Sequence, residues 1–465
     1  MLRNFAILAA LAASPVVAQD IYVAPRGSAA YDAAKAMDGV KVERTIHKAL
    51  GGAATLLQSC GDCTVTIHIA GGDYDGKAGT GQWFLPEVKA PGARLRILGG
   101  YNDDFTARTP FATPTRMITP PERSATVLRF EGKKHALAEL VVSGLAFDVS
   151  PSNNYERETN SLMFGGSSTW GVLQFGYLET DLLVIADNTF LNAPAGVGGP
   201  AIRAASPGAV VQVSNNIFMN NVFTWQVEAG GGKHLPTHKI AGNSFVLNWP
   251  RNPDQTTSNP GTLQIGSNYS GAGVEITGNL FAYNVGGAIF PQWDEDRGPP
   301  MTITDNLFFG NGALFGAEDP GQGALVGKFN GSATHSIFDH WDLEDEFDWD
   351  SADNTDIDPE VAVPVLEIGA LKMTLDRGTQ ESEPKAEPAT TTDDDLGLDL
   401  DMLDTGLGEL SLDIDFDMDD MADGDGIRNF APVIPFDIRA LPFPRNPAAE
   451  GYGASPDRIY VAGQG

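Results

Sequence analysis

Asp187-Asn188-Thr189-Phe190 is followed along the chain by Asn215-Asn216-Ile217-Phe218, Gly242-Asn243-Ser244-Phe245, Gly278-Asn279-Leu280-Phe281 and Asp305-Asn306-Leu307-Phe308. The second-position asparagines lie 28, 27, 36 and 27 residues apart. An aliphatic residue precedes each by three: Ile185, Val213, Ile240, Ile276 or Ile303. A further asparagine follows at Asn192, Asn220, Asn248, Asn284 and Asn311. Val142 with Gly144-Leu145-Ala146-Phe147 fits the frame without the asparagine, and Ser336-Ile337-Phe338 reads as a degenerate last copy. A unit this short cannot bury a core alone, so the copies must stack. Stacking pairs equivalent strands in parallel at about 4.8 Å and puts the phenylalanines and aliphatic residues inside. It also lets Asn188, Asn216, Asn243, Asn279 and Asn306 bond amide to amide from one copy to the next. The fold expected is all-β, a solenoid of parallel sheets.

A second strand follows in each copy. Aligned on its inward residue it reads Ile202, Trp225, Leu263, Ile289 and Leu325. Alternation then sends Arg203, Gln226 and Gln264 outward, with Glu228, Gln292 and Lys328 close by. The loops leaving these strands are Gly230–Pro236 with Lys233 and His234, Gly266–Ser270, and Trp293–Arg297 with Asp294 and Asp296. They are expected along one side of the stack, so Arg203, Gln226, Glu228, Gln264, Gln292 and Trp293 form the candidate ligand-binding set. The 36-residue interval is explained by an insertion over Trp249–Pro260.

The start of the chain reads as an export signal. Met1–Asn4 carries one arginine, Phe5–Ala13 is apolar, and Val16 and Ala18 have the spacing of a cleavage site. The apolar run is far shorter than the roughly 20 residues that cross a bilayer. Secretion, to the periplasm or the cell surface, follows as an expectation. In an oxidising compartment Cys60 and Cys63 pair as a local disulfide, the reading preferred to a redox-active Cys-x-x-Cys.

Charge divides the chain. Residues 342–425 hold 29 acidic and 3 basic residues, a net of −26 out of −31, while the remainder nets only −5. A body so nearly balanced beside so acidic a segment argues against nucleic acid as a partner. Glu381–Asp395 has the composition of a disordered linker, and Leu396–Met421 alternates acids with apolar residues. Asp423 and Asp425 are candidate calcium ligands, although Met421 stands where an EF-hand-like frame needs its first one. Calcium is the one cofactor the sequence suggests, and none is established. The organisation expected is a signal over 1–18, the stack over 20–345, an acidic low-complexity region over 346–424, and a segment over 425–465 that packs back as a cap.

With these segments the chain resembles the right-handed parallel β-helix proteins of the pectin-lyase-like superfamily, in its exported bacterial form. The resemblance rests on the repeats, on Asp20–Pro25, on a capping helix near Thr45–Gln58, on Val65–Ile69 and Gly71–Tyr74, and on Gly99-Gly100-Tyr101-Asn102-Asp103-Asp104-Phe105-Thr106-Ala107-Arg108. Asp358-Pro359, Asp425–Arg428 and Asp437–Ala440 are similar to closing segments, with Arg439 replacing the usual glycine. The family holds lyases, hydrolases, esterases and epimerases of acidic polysaccharides, so it implies two readings. In the one preferred, the protein is an exported scaffold that binds a surface, matrix or glycan component without catalysis. In the alternative it is a polysaccharide lyase or epimerase, with Lys233, His234, Asp294, Asp296 and Arg297 supplying a base and cations. His238 occupies an inward slot equivalent to Val211 and Val274, which makes it a core residue.

Overall fold

The computed structural model describes residues 18–76, 79–119, 127–130, 134–152, 154–156, 161–163, 172–175, 178–193, 201–221, 224–229, 234–249, 262–265, 273–285, 287–291, 300–312, 325–326, 334–335, 349–361 and 437–461. Two α-helices lie among them, α1 (Ala29–Ala36) and α2 (Ile46–Cys60); strands make up most of the rest. The sequence reading did not anticipate α1, which the Ser28 hydroxyl caps by accepting from Tyr31 N–H. Thr45 caps α2 in the same way, accepting from Lys48 N–H, and Gly61 ends it at φ 77°. The buried stripe of α2, Ile46, Ala49, Leu50, Ala53, Ala54 and Leu57, packs into the main core. No helix among the described residues is long and apolar enough to cross a membrane.

Two long parallel sheets carry the architecture, which is compatible with a parallel β-helix. In the first, Ala18–Val23 pairs with Thr64–Ala70, and pairing then continues through Lys89–Tyr101, His135–Ser143, Leu178–Ala186, Val210–Ser214, Thr237–Ala241, Val274–Thr277 and Met301–Thr304 to Asp350–Ala352. The second sheet has eight strands, running from Gly72–Tyr74 to Leu307–Phe309. A third sheet contains the parallel strands Trp225–Ala229, Leu263–Ile265, Ile289–Pro291 and Leu325–Val326. The last of these also pairs antiparallel with Thr334–His335.

One core fills the space between the sheets. Ile185, Val213, Ile240, Ile276 and Ile303 line it from the first sheet, each with no exposed surface. From the second sheet Phe147, Phe190, Phe218, Phe245, Phe281 and Phe308 form a column, with successive ring centroids 4.9, 4.9, 4.7, 4.8 and 5.0 Å apart and interplanar angles of 3 to 6°. The spacing is that of the strands themselves, so the rings are held face over face by the backbone register rather than by the geometry aromatic pairs choose freely.

Asparagines turn the corner between the first and second sheets. Asn216 Oδ1 accepts both the backbone N–H and the Nδ2–H of Asn188, each at 3.0 Å. Its own Nδ2 donates to Ile185 O at 2.8 Å and to Asn243 Oδ1 at 2.9 Å. The pattern repeats through Asn279 and Asn306, and it extends to Asn354, a residue the repeat pattern did not flag. A second ladder follows the phenylalanines, through Asn221, Asn248, Asn284 and Asn311. Here the sequence pattern needs correcting by one residue. Asn192 and Asn220, which it placed in this row, occupy left-handed corner positions at φ 59° and 54°, and Asn221 is in register.

The stack also runs past residue 345. Asp350–Ala352 pairs with Met301–Thr304, Asn354 continues the ladder, and Trp349 is buried in the core. Ser336-Ile337-Phe338 lies outside the described residues.

Residues 437–461 do not cover an end of the stack. They lie along the outer face of the second sheet, where Ile217, Met219, Val246, Leu280, Ala282 and Leu307 would otherwise be open to solvent. Leu441, Phe443, Ala449, Tyr452, Ala454 and Ile459 pack on that face. Phe218→Ala or Phe281→Ala should cost about 3–5 kcal/mol of unfolding free energy. Asn243→Ala, which strands the amide donors of Asn216, should cost on the order of 3 kcal/mol. Urea unfolding measures all three, and a loss below about 1 kcal/mol at either phenylalanine would contradict the packing described.

Candidate functional site

The third sheet positions the loops in which the sequence locates its candidate residues. Trp225 pairs in register with Leu263, Leu263 with Ile289, and Ile289 with Leu325. The carboxyl ends of these strands therefore follow one another along the stack, and so do the points where the loops leave. Trp225, Leu263 and Ile289 face the core, as alternation requires.

Two elements of the expected site do not hold. Ile202 is not in the row of Trp225: its partners are Leu178 and Ala229, so Arg203 falls opposite Glu179 and out of line with Gln226 and Gln264. The cause is the stagger between strands, which sequence spacing alone does not reveal when loop lengths differ. Gln264 does not present an accessible surface either. Its strand Leu263–Ile265 is buried on both faces, and the residue has no exposed area. Phe290, the register partner of Gln264 in the next strand, is likewise buried, so this side of the sheet is covered at both layers.

Gln226 and Glu228 belong to the strand Trp225–Ala229, and only their backbone is described. His234 is half-buried at the start of the segment entering Thr237–Ala241. Lys233, Gln292, Trp293, Asp294, Asp296 and Arg297 lie outside the described residues, as do the calcium candidates Asp423 and Asp425. Among the described residues no group of three or more His, Cys, Asp or Glu side chains is placed to hold a metal ion. Cys60 and Cys63 are joined in a disulfide at the end of α2.

His238 sits in the core column between Val211 and Val274. Full burial disfavours its charged form and pushes its pKa down to about 3, so it is neutral near pH 7. A base at that pKa is too weak for catalysis near neutrality.

The sequence reading missed two polar clusters, both assembled from residues distant in the chain. On the outer face of the first sheet, His68 Nε2 meets Asp20 Oδ1 at 2.9 Å and its Nδ1 meets the Tyr101 hydroxyl at 2.9 Å. Burial lowers the His68 pKa against the opposing pull of Asp20, which fits a neutral ring donating to Asp20 and accepting from Tyr101. Tyr22 stacks on His68 at 4.7 Å, and Phe105, held at φ 58°, closes the group against Tyr22 and Tyr101.

The second cluster centres on the buried carboxylate of Asp187. It accepts from Ser143 Oγ at 2.8 Å, Asn215 Nδ2 at 2.7 Å, Arg108 Nη2 at 3.2 Å and Tyr460 N–H at 3.0 Å. The only sequence signal for it is that Asp187 and Asn215 each precede a ladder asparagine. No family model, curated protein or solved structure matches the chain.

The burial of His238 gives stability a pH dependence. Its folded pKa lies below the unfolded value of 6.5, so the unfolded chain binds the extra proton. The contribution is intact above pH 6.5 and is lost as pH falls toward 3, by up to about 1.4 kcal/mol per unit. Comparison of His238→Val with the parent by urea unfolding from pH 7 to pH 4 should show the parent losing the more stability. Parallel losses would remove this histidine as the cause.

Proposed function

We propose that the protein is an exported right-handed parallel β-helix that holds a glycan along its side and carries out no chemistry on it. One observation carries this reading: the register of the third sheet, which sets the origins of successive loops in a line along the stack. Strands in such a sheet are spaced at about 4.8 Å, so successive loops leave at regular intervals, an arrangement an extended polymer can use. Trp293 supplies an apolar ring for a sugar face, and Glu228 and Gln292 supply hydrogen bonds. Arg203 and Gln264 are not part of this set, for the reasons given above. Export is proposed from the amino-terminal sequence and is supported by the Cys60–Cys63 disulfide, which persists in oxidising compartments.

Retention of the full chain on immobilised polysaccharides, neutral and uronate-containing, tests the proposal. Trp293→Ala and Gln292→Ala should weaken retention, and Arg203→Ala should leave it unchanged. Release of reducing ends or unsaturated uronate by the parent, lost in Lys233→Ala or Asp294→Ala, would overturn the non-catalytic reading in favour of a lyase or epimerase.

A further inference from the structure

Asp20, Tyr22 and His68 stand on the outer face of the first sheet, because Ile21, Val23, Ile67 and Ile69 beside them are fully buried. His68 spends both ring nitrogens on Asp20 Oδ1 and the Tyr101 hydroxyl, and burial keeps the ring neutral. The Asp20 side chain is 43% exposed, and His68 is its only ion-pair partner among the described residues. Its second oxygen, Oδ2, has no partner among them. Arg108 is close enough to be felt at His68 and Tyr101, but its bonds go to Gly99 O, Ser143 Oγ, Asp187 Oδ2 and Tyr460 O. The carboxylate is thus left without a cation of the chain's own.

Two further groups adjoin it. The Tyr22 hydroxyl makes no hydrogen bond among the described residues, and burial, then the charge of Asp20, raise its pKa, so the phenol keeps its proton. Phe105 is half-buried and meets Tyr22 edge-on, with ring centroids 5.0 Å apart. Its backbone holds φ 58°, which a bulky residue rarely adopts. The loop fixes it there: Asn102 N–H donates to Ala107 O at 3.0 Å, and Ala107 N–H donates to Asn102 Oδ1 at 3.1 Å. A carboxylate without a cation, set among electron-rich rings, recognises an ammonium group through a charge-assisted hydrogen bond and attraction to the ring. It repels a uronate or a sulfate. The unengaged phenol adds a partner for a hydroxyl beside the amine, which a 2-amino sugar has and a lysine side chain lacks. Taking the glycan reading above as the basis, we infer that Asp20, Tyr22 and Phe105 form a site for an amino sugar with a free, charged amine, separate from the loops leaving the third sheet.

Calorimetric titration of the full chain with a glucosamine tetrasaccharide and with its N-acetylated counterpart tests this. In about 0.15 M salt, screening over about 8 Å curbs diffuse attraction to the acidic segment 342–425. The amine form should bind saturably and at least about tenfold more tightly than the acetylated form. Asp20→Asn keeps an acceptor for His68, removes the charge and leaves the acidic segment as it is. It should weaken the amine form at least about tenfold and leave the acetylated form unchanged. Phe105→Gly, which suits the positive φ, should also weaken the amine form. Equal binding of the two sugars, or binding unchanged in Asp20→Asn, would overturn this site while leaving glycan retention at the third-sheet loops standing. A tetralysine peptide bound as tightly, with the same losses in both variants, would overturn the assignment to a sugar.

Discussion

A primary amide buried away from water must find partners for two donors and two acceptor sites, and Asn216, Asn243, Asn279 and Asn306 satisfy all four. In Asn216 the oxygen accepts from the main chain and side chain of Asn188, while the nitrogen donates to Ile185 O and Asn243 Oδ1. Each residue completes its neighbour, and no single copy of the repeat can complete itself. An aspartate at the position would have no donor for the carbonyl, and a serine could not reach both. The register between layers is therefore specified by hydrogen bonding at the corners as well as by burial. A slip by one residue would break a row of amides as well as invert the faces of a strand.

That constraint fixes what the rest of the chain must do. With the corners set, Phe190, Phe218, Phe245 and their equivalents can only stack, and the aliphatic residues of the first sheet can only face them. The second sheet then has an inner face of phenylalanine and an outer face rich in Ile217, Met219, Val246 and Leu280. A sheet apolar on both faces needs a second covering layer, and the carboxyl-terminal strap supplies it from far along the chain. The Asp187 cluster joins these parts: it connects Arg108, Ser143, Asn215 and Tyr460, four segments that meet only when the stack is built and the strap is in place.

The recurring Asn-x-Phe motif made the parallel stacking legible, because burial and amide pairing both leave a fixed offset in sequence. The intervals between Asn188, Asn216, Asn243, Asn279 and Asn306 are also the intervals of their hydrogen bonds. Legibility ended where spacing stops determining geometry. Ile202 resembled Trp225 in sequence, yet the stagger of its strand pairs it with Leu178. Gln264 alternated outward, but alternation names a face and does not say whether another layer covers it. Asn354 escaped the pattern because 48 residues, almost two ordinary intervals, separate it from Asn306. His68 with Asp20, and Asp187 with Arg108, are pairs that only the fold brings together.

The same reasoning bears on where function can reside. Ladder asparagines and stacked phenylalanines are costly to replace, since each is shared between two layers, whereas the loops and the outward positions of the sheets can change at less cost. On the first sheet those outward positions hold the His68 group, the Arg96–Glu139 ion pair at 2.6 Å and the Tyr460 contact, which are largely engaged with one another. On the later strands of the second sheet they are under the carboxyl-terminal segment. The loops leaving the third sheet remain the edge where the chain can change its chemistry without disturbing an amide ladder. That division between a register-specified stack and its loops is the physical reason the binding proposal is placed there.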